Sequence, residues 1–428
     1  MYLLYNCILV LLYPLLLLTS LFIPKARAHL AARKATLRML LEFPFVIGTR
    51  QVVWLHGASV GELDQARAIA KILKEKHPTV FILQSIFSQS VSESQRQDAN
   101  FDICFHLPFD LPFAYQKIIQ KYRPEILMIL AWDTWPNLIR DLKNSGSKTY
   151  LACASLSESS GRTRGFGKFL TKSVFKYLDG IFPSHEILSS TFLPLLSENT
   201  KFEVLGDSRF DAVLNRIETN HPSPRFQNFL KLYTKEISES KPILLGSTYP
   251  ICESYFLDHL QNNSDTKQSY WIFPHKWEEL RMNEFANALQ KKGIVTKFSD
   301  LVDGNKSYPR FLLFDEMGIL AFAYKYALLA YVGGGFEHRI HNTIEPAAFG
   351  LTLITGPKIN NAPEAIVMQK LGGLFVCQDK SEFSSQLVKC TQNEKHTSEI
   401  GAKNRKFVLE NRGASERIYL RVFSDALS

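Results

Sequence analysis

The residue in this chain best suited to proton chemistry is Glu62. It ends the stretch His56-Gly57-Ala58-Ser59-Val60-Gly61-Glu62. Before that stretch, Val52, Val53 and Trp54 are β-formers in a short apolar run and read as a buried strand. After it, Ala66, Ile69, Ala70 and Leu73 recur at helical spacing. Strand, Gly-bearing turn and helix form the opening unit of a doubly wound sheet, where ligands gather at the carboxyl ends of the strands. An acidic residue in a first helical turn commonly does no more than cap the helix. A carboxylate held at the mouth of a cleft is also a general base. This stretch alone leaves both readings open.

A second group suited to chemistry lies far along the chain. Tyr331-Val332-Gly333-Gly334-Gly335-Phe336 reads as a strand ending in three glycines, where backbone N–H groups can cradle a phosphate. His341-Asn342-Thr343-Ile344-Glu345-Pro346 then opens a helix whose positive end suits a phosphate, with Glu345 placed to hold the two hydroxyls of a ribose. A glycine triplet by itself is usually only a turn, but this spacing is a nucleotide-sugar signal. His338 and His341 lie three apart with no third ligand nearby in sequence, so a zinc reading lacks its ligand set.

The elements that must position these groups are legible as alternation. From Val52 to about Leu205, short apolar runs at Thr79–Ser85, Ile103–Leu107, Glu125–Trp132, Lys148–Ser155, Gly180–Pro183 and Phe202–Leu205 alternate with helical patterns. A polar stretch with the break Asn220-His221-Pro222-Ser223-Pro224 places a linker between roughly Gly206 and Lys241. Strands then resume at Ile243–Gly246, leading into Ser247-Thr248 as a helix cap, and at Tyr270–Phe273, Ile294–Lys297, Phe311–Phe314, Leu328–Val332 and Thr352–Ile354. Such alternation means βαβ units on parallel sheets. The expected fold is α/β, with two Rossmann-like domains facing across a cleft. The boundaries are a segment 1–24, a first domain 25–212, and a linker plus second domain over 213–428. The first unit lacks G-x-G-x-x-G, which argues against an ordinary dinucleotide site there.

The 428 residues are too many for one ordinary core, and the 46% apolar and 21% charged fractions are those of a globular protein. The net charge of +9 favours an anionic partner such as a membrane surface or a phosphate-bearing substrate. No basic tract interleaved with aromatics is present, so nucleic acid ranks lowest. The six cysteines are scattered without C-x-x-C spacing, as expected of reduced thiols. Met1 to Ile23 carries no charge and is long enough to cross a bilayer, with Pro14 as a kink. Lys25, Arg27, Arg33, Lys34 and Arg38 follow, which keeps this flank and the rest of the chain cytoplasmic and favours an anchor over a cleaved signal.

Several of these motifs together resemble one family. His56-Gly57-Ala58-Ser59-Val60-Gly61-Glu62, Leu107-Pro108-Phe109-Asp110-Leu111-Pro112 and Trp135-Pro136-Asn137-Leu138 occur in the order seen in transferases of 3-deoxy-D-manno-octulosonic acid (Kdo). Gly246-Ser247-Thr248, Met317-Gly318, Val332-Gly333-Gly334, His341-Asn342 with Glu345, and Gly356-Pro357 continue the likeness over nearly the whole chain. The resemblance implies a glycosyltransferase-B fold with an N-terminal membrane anchor at the bacterial inner membrane, its catalytic domains on the cytoplasmic face. It implies inverting transfer of Kdo from CMP-Kdo to a lipid A precursor, with no metal or other cofactor.

Residue by residue, the resemblance makes Glu62 the proton acceptor and Arg209 the counterpart of a lysine that stabilises the transition state. It puts Met317, Gly318, Asn342 and Glu345 against CMP, with Ile319, Thr343 and Ile344 as neighbours. His275 and Lys276 stand where the family has Arg-His. Ser59 and Asp133 are candidates on the acceptor side. The chain departs from the family at Ala131-Trp132-Asp133, where a first carboxylate is lost, and at Tyr249-Pro250-Ile251-Cys252-Glu253. The alternatives are a same-fold transferase for another nucleotide sugar, a nucleotide-sugar epimerase, or a non-catalytic tethered relative that binds sugar or lipid.

Overall fold

The computed structural model describes residues 2–45, 50–263, 268–301 and 307–427. Met1, the first residue of the expected anchor, lies outside them. The chain divides into two compact units. The first comprises Met1–Ala212 together with Gly413–Ser428, and the second is Val213–Arg412.

Unit 1 is built on seven parallel strands: β1 (Val52–His56), β2 (Phe81–Ile86), β3 (Ile103–His106), β4 (Ile126–Leu130), β5 (Lys148–Ala154), β6 (Gly180–Pro183) and β7 (Lys201–Phe202). Their order is β3-β2-β1-β4-β5-β6-β7. β1 and β4 are buried along their whole length, as parallel strands covered by helices on both faces must be. Val52 and Trp54 of β1 enter one core layer, Val53 and Leu55 the other. The helix α3 (Val60–Lys76) follows β1 and buries Leu63, Ala66, Ile69, Ala70 and Leu73. Gly57 is required at the turn between them, because a Cβ there would lie 2.7 Å from the carbonyl oxygen of Glu62.

The N-terminal segment forms α1 (Tyr2–Phe22), long and apolar enough to cross a membrane, followed at once by α2 (Pro24–Glu42). α2 belongs to the globular unit. It buries Arg33, Thr36 and Leu40, and the Lys121 Nζ donates to the Leu40 and Leu41 carbonyls at its end.

Unit 2 repeats the plan with β8 (Ile243–Thr248), β9 (Tyr270–Pro274), β10 (Val295–Lys297), β11 (Phe311–Leu313), β12 (Leu329–Val332), β13 (Thr352–Thr355) and β14 (Leu374–Val376). The order is β10-β11-β9-β8-β12-β13-β14, again all parallel. Two parallel sheets, each flanked by helices, give a glycosyltransferase-B-like two-domain fold.

Four local expectations are corrected. The stretch from Gly206 to Lys241 is not an irregular linker; it holds helices Arg209–Thr219, Pro224–Leu232 and Thr234–Glu239, because its polar composition hides an amphipathic stripe whose Phe226 and Phe229 are buried. Ser247 and Thr248 finish β8, and Tyr249 is the residue that precedes the next helix. β14 was not anticipated: Leu374–Val376 is too short for its pattern to stand out until β13 pairs with it. The chain's last helix, Ala414–Val422, packs with unit 1 and not with the second domain. Its Ile418, Tyr419 and Val422 join the core beneath α3, and the Asp211 carboxylate accepts the N–H groups of Gly413 and Ser415 at its start.

Candidate active site

In unit 1 the site forms where β1 and β4 end side by side. Parallel pairing sets His56 opposite Ser85 of β2 and Ile129 of β4. The Ser85 hydroxyl accepts the Trp54 indole N–H at 2.8 Å and lies 2.8 Å from His56 Nδ1. The Trp135 indole N–H donates to His56 Nε2 at 3.1 Å. An indole can only donate, so this network assigns the imidazole proton to Nδ1 and a lone pair to Nε2. Asp133 Oδ2 lies 3.5 Å from the same Nε2.

Glu62 sits in the first turn of α3, buried, and accepts the Ser59 backbone N–H on Oε2 at 2.8 Å. The carboxylate therefore does cap the helix, and the cap holds it in a fixed pose. Burial pushes its carboxyl above the usual range. The Ser59 N–H opposes that, the nearby Asp133 charge adds to it, and His56 offsets part of it. A carboxylate raised in this way is a better proton acceptor than an exposed one.

Around this pair, Ala131 directly follows β4 in the left-handed region at φ 61°, a strained conformation for a residue with a Cβ. The Arg162 guanidinium donates to the Trp132 carbonyl at 2.5 Å and lies 4.6 Å over the Trp132 ring. Burial lowers Arg162, and Asp133 counters it.

Arg209 opens the helix Arg209–Thr219 and is tied to Asp207: its Nε and Nη2 both reach Oδ2, at 2.9 and 2.7 Å. Asp207 also accepts from Gln65 at 2.9 Å. Burial alone would raise the Asp207 carboxyl, but Arg209 and the hydrogen bonds bring it below the usual range.

In unit 2 the corresponding strand ends are β8 and β12. Gly333 N–H donates to the Gly246 carbonyl at 2.8 Å, and the backbone there is packed so closely that a Cβ on Gly333 would collide with the Ser247 carbonyl. Gly334 has φ 90°, which favours glycine. Beside this loop three rings stack. Tyr249 lies 4.8 Å from His275 and 5.7 Å from His341, and the two imidazoles are 4.6 Å apart. Tyr249 Oη is 3.1 Å from His341 Nε2. Burial first, then the His275 and Arg339 charges, pull His341 down to about 4, so it is neutral near pH 7. Burial and Lys276 lower His275 as well.

Asn342 Oδ1 accepts the Ile344 and Glu345 N–H groups at 2.9 and 3.4 Å. The helix they open, Ile344–Ala348, is a single turn. It is too short for the strong positive end the sequence reading gave it, and Asn342 already caps it. Glu345 is mostly buried, its Oε1 held by Arg216 Nη1 at 2.7 Å.

The chain matches the family model described as 3-deoxy-D-manno-octulosonic-acid transferase (kdotransferase) over residues 29–212. A 3-deoxy-D-manno-octulosonic acid transferase of Chlamydia trachomatis is 26% identical over 393 residues, covering 90% of this chain and 88% of the relative. One from Haemophilus influenzae is 27% identical over 383 residues, covering 86% of each. Over nearly its whole length the chain is similar to Kdo transferases. It is a glycosyltransferase. Among solved structures, a glycosyltransferase of Rickettsia africae matches with TM-score 0.58 at 13% identity, covering 89% of this chain and 99% of that one. A UDP-GlcNAc 2-epimerase of Neisseria meningitidis matches with TM-score 0.57 at 11% identity, covering 84% and 99%. These likenesses show the shared fold.

Of the family positions read from sequence, Glu62, Ser59 and Asp133 come together at the β1 and β4 ends, with Arg209 in the same unit on Asp207. In unit 2, His275 joins the ring stack and Lys276 is exposed beside it. Thr343, Ile344 and Ile319 are buried and act through packing. Met317 is 95% exposed and Gly318 has φ 84°, so that loop presents backbone. The sequence reading missed His56 as the neighbour of Asp133, Ser85 as the partner of His56, Tyr249 as the centre of the stack, and Arg216 as the holder of Glu345. His56 opened the quoted motif and could have been found there. Arg216 carried no local signal.

Proposed function

We propose that the chain transfers Kdo from CMP-Kdo to a lipid A precursor, with inversion and without a metal, at the cytoplasmic face of a bacterial inner membrane. The observation that carries this is Glu62: a buried, pre-positioned carboxylate with a raised pKa at the strand ends of a chain similar to Kdo transferases. Glu62 takes the proton of the acceptor hydroxyl as that oxygen attacks the anomeric carbon. The bond from that carbon to the phosphate oxygen breaks, and its electron pair leaves with CMP. The acceptor is bound by unit 1, with Ser59 and Asp133 on its side. CMP-Kdo is bound by unit 2: the Gly333 loop and the backbone at Met317–Gly318 take the CMP phosphate and base, and Asn342 and Glu345 the ribose. His275, Lys276 and Arg209 offset the charge that builds on the phosphate.

The relatives, named as 3-deoxy-D-manno-octulosonic acid transferases, support Kdo as the sugar transferred. The α1 helix supports membrane attachment. A non-catalytic binding relative is the competing reading, favoured by Ala131 in place of a carboxylate. The experiment is incubation of the purified chain with CMP-Kdo and a lipid A precursor, read by mass spectrometry of the lipid. Transfer is expected, and Glu62→Gln should reduce it about 10²–10⁴-fold with CMP binding retained by calorimetry. CMP binding by the unaltered chain with no added mass on the lipid would instead establish the binding-only reading.

A further inference from the structure

The helix α1 is apolar enough to cross a bilayer, yet its contacts do not allow it to. Along its length Tyr2, Tyr5, Asn6, Leu9, Tyr13 and Leu16 are half-buried, while the residues between them are exposed. That spacing is one helical face. The face carries the helix's polar side chains, and they are spent on unit 1. Tyr2 Oη donates to Asn137 Oδ1, Tyr5 Oη donates to Asp110 Oδ2 at 2.8 Å, and Asn6 Oδ1 accepts from Asn137 Nδ2 at 2.8 Å. The Arg140 guanidinium lies 4.0 Å over the Tyr2 ring. At mid-helix Tyr13 meets Phe109 edge-on at 6.2 Å.

The far end is tied as well. α2 starts two residues after α1 ends, and its Arg33 guanidinium rests 4.3 and 4.4 Å over Phe87 and Phe109. Nine helical residues from Pro24 to Arg33 reach only about 14 Å. A crossing helix must separate its ends by about 30 Å of hydrocarbon along the membrane normal, and only one end could then touch the globular unit. Here the start, the middle and the segment just past the end all touch the same unit.

The opposite face is continuous hydrocarbon: Leu3, Leu4, Leu11, Leu15, Leu18 and Phe22 are exposed. The same loop as Phe109 adds Phe113, 72% exposed. Lys25, Arg27, Lys34 and Arg38 are exposed on the adjoining α2. An apolar face rimmed by basic side chains fits one occupant, the headgroup–acyl boundary of an anionic bilayer.

We infer that α1 is an in-plane lipid-contact helix, docked on the Asp110–Asn137 loops by its tyrosine–asparagine face and sunk into one leaflet by its leucine face. This deepens the membrane-attachment part of the proposed function and rests on it. The docking residues begin the helix Pro136–Asn144, directly after Asp133 and Trp135 of the candidate site. Seating α1 in a leaflet therefore sets that site at the bilayer surface.

The test uses the full chain with Cys7 and Cys104 changed to Ser, reconstituted in phosphatidylethanolamine–phosphatidylglycerol vesicles. Spin labels are placed at Leu4→Cys, Leu11→Cys and Leu18→Cys. Equal, shallow depths at all three are expected, and a deep Leu11 between shallow ends overturns the inference, as does failure of the chain to float with the vesicles. Separately, Asn6→Cys with Asn137→Cys should be joined by a short bis-thiol cross-linker in the membrane-bound protein, and absence of that product also overturns it. Neither readout involves sugar transfer, so failure of the CMP-Kdo assay leaves both unchanged.

Discussion

Glu62 shows how one side chain can serve two ends. Its bond from Ser59 N–H makes it a helix cap, and the same bond aims and immobilises the carboxylate. In the proposed transfer only the ionised form can accept a proton, so activity is expected to fall as pH drops through its pKa. Burial and the Asp133 charge raise that pKa, which sets the acid limb of the pH–rate profile above the ordinary glutamate value of about 4.3. Asp133→Asn removes the like charge, and its acid limb should move to lower pH. A limb that stays in place or rises would dissociate Asp133 from Glu62. In unit 2, Arg216 holds Glu345 by a charge-assisted bond at 2.7 Å. Such a bond contributes about 1.5–3 kcal/mol, so Arg216→Ala should weaken CMP binding roughly 10–100-fold by calorimetry.

At the scale of the element, the turn between β1 and α3 sets the position of the Glu62 carboxylate. A Cβ at Gly57 would press on the backbone of Glu62 at 2.7 Å, and backbone cannot swing aside as a side chain can. The helix start must then shift, at an overpacking cost of about 1–3 kcal/mol. Gly57→Ala is therefore expected to cut transfer at least tenfold while CMP affinity, which the proposed function assigns to unit 2, stays within twofold. The strands that carry both sites were legible because a parallel strand covered on both faces must be an apolar run. β4 was expected over Glu125–Trp132 and runs Ile126–Leu130. β14 and the helices between Gly206 and Lys241 were not legible, because their burial comes from partners distant in sequence.

At the scale of the whole molecule, α1 is expected to govern where the chemistry happens more than whether it happens. Deleting residues 2–23 should abolish flotation with anionic vesicles and leave transfer to a detergent-dispersed acceptor within about threefold. Loss of both would make α1 part of the catalytic fold. The division into units also needed the tertiary structure. Residues 413–428 return to unit 1 because Ile418, Tyr419 and Val422 fill the layer beneath α3, a complementarity of shapes that no local pattern announces. By itself the sequence determined the two parallel sheets, the glycine turns at their strand ends and the position of Glu62, because periodicity, turn chemistry and motif order are written in neighbouring residues. The tertiary structure alone decided that Ser85 and Trp135 fix the His56 tautomer and that Arg216 holds Glu345. It also decided that an apolar helix long enough to span a bilayer is bound along one face by tyrosines and an asparagine. Each of these depends on which groups meet across long stretches of chain, where hydrogen-bond geometry and burial assign the partner and composition does not.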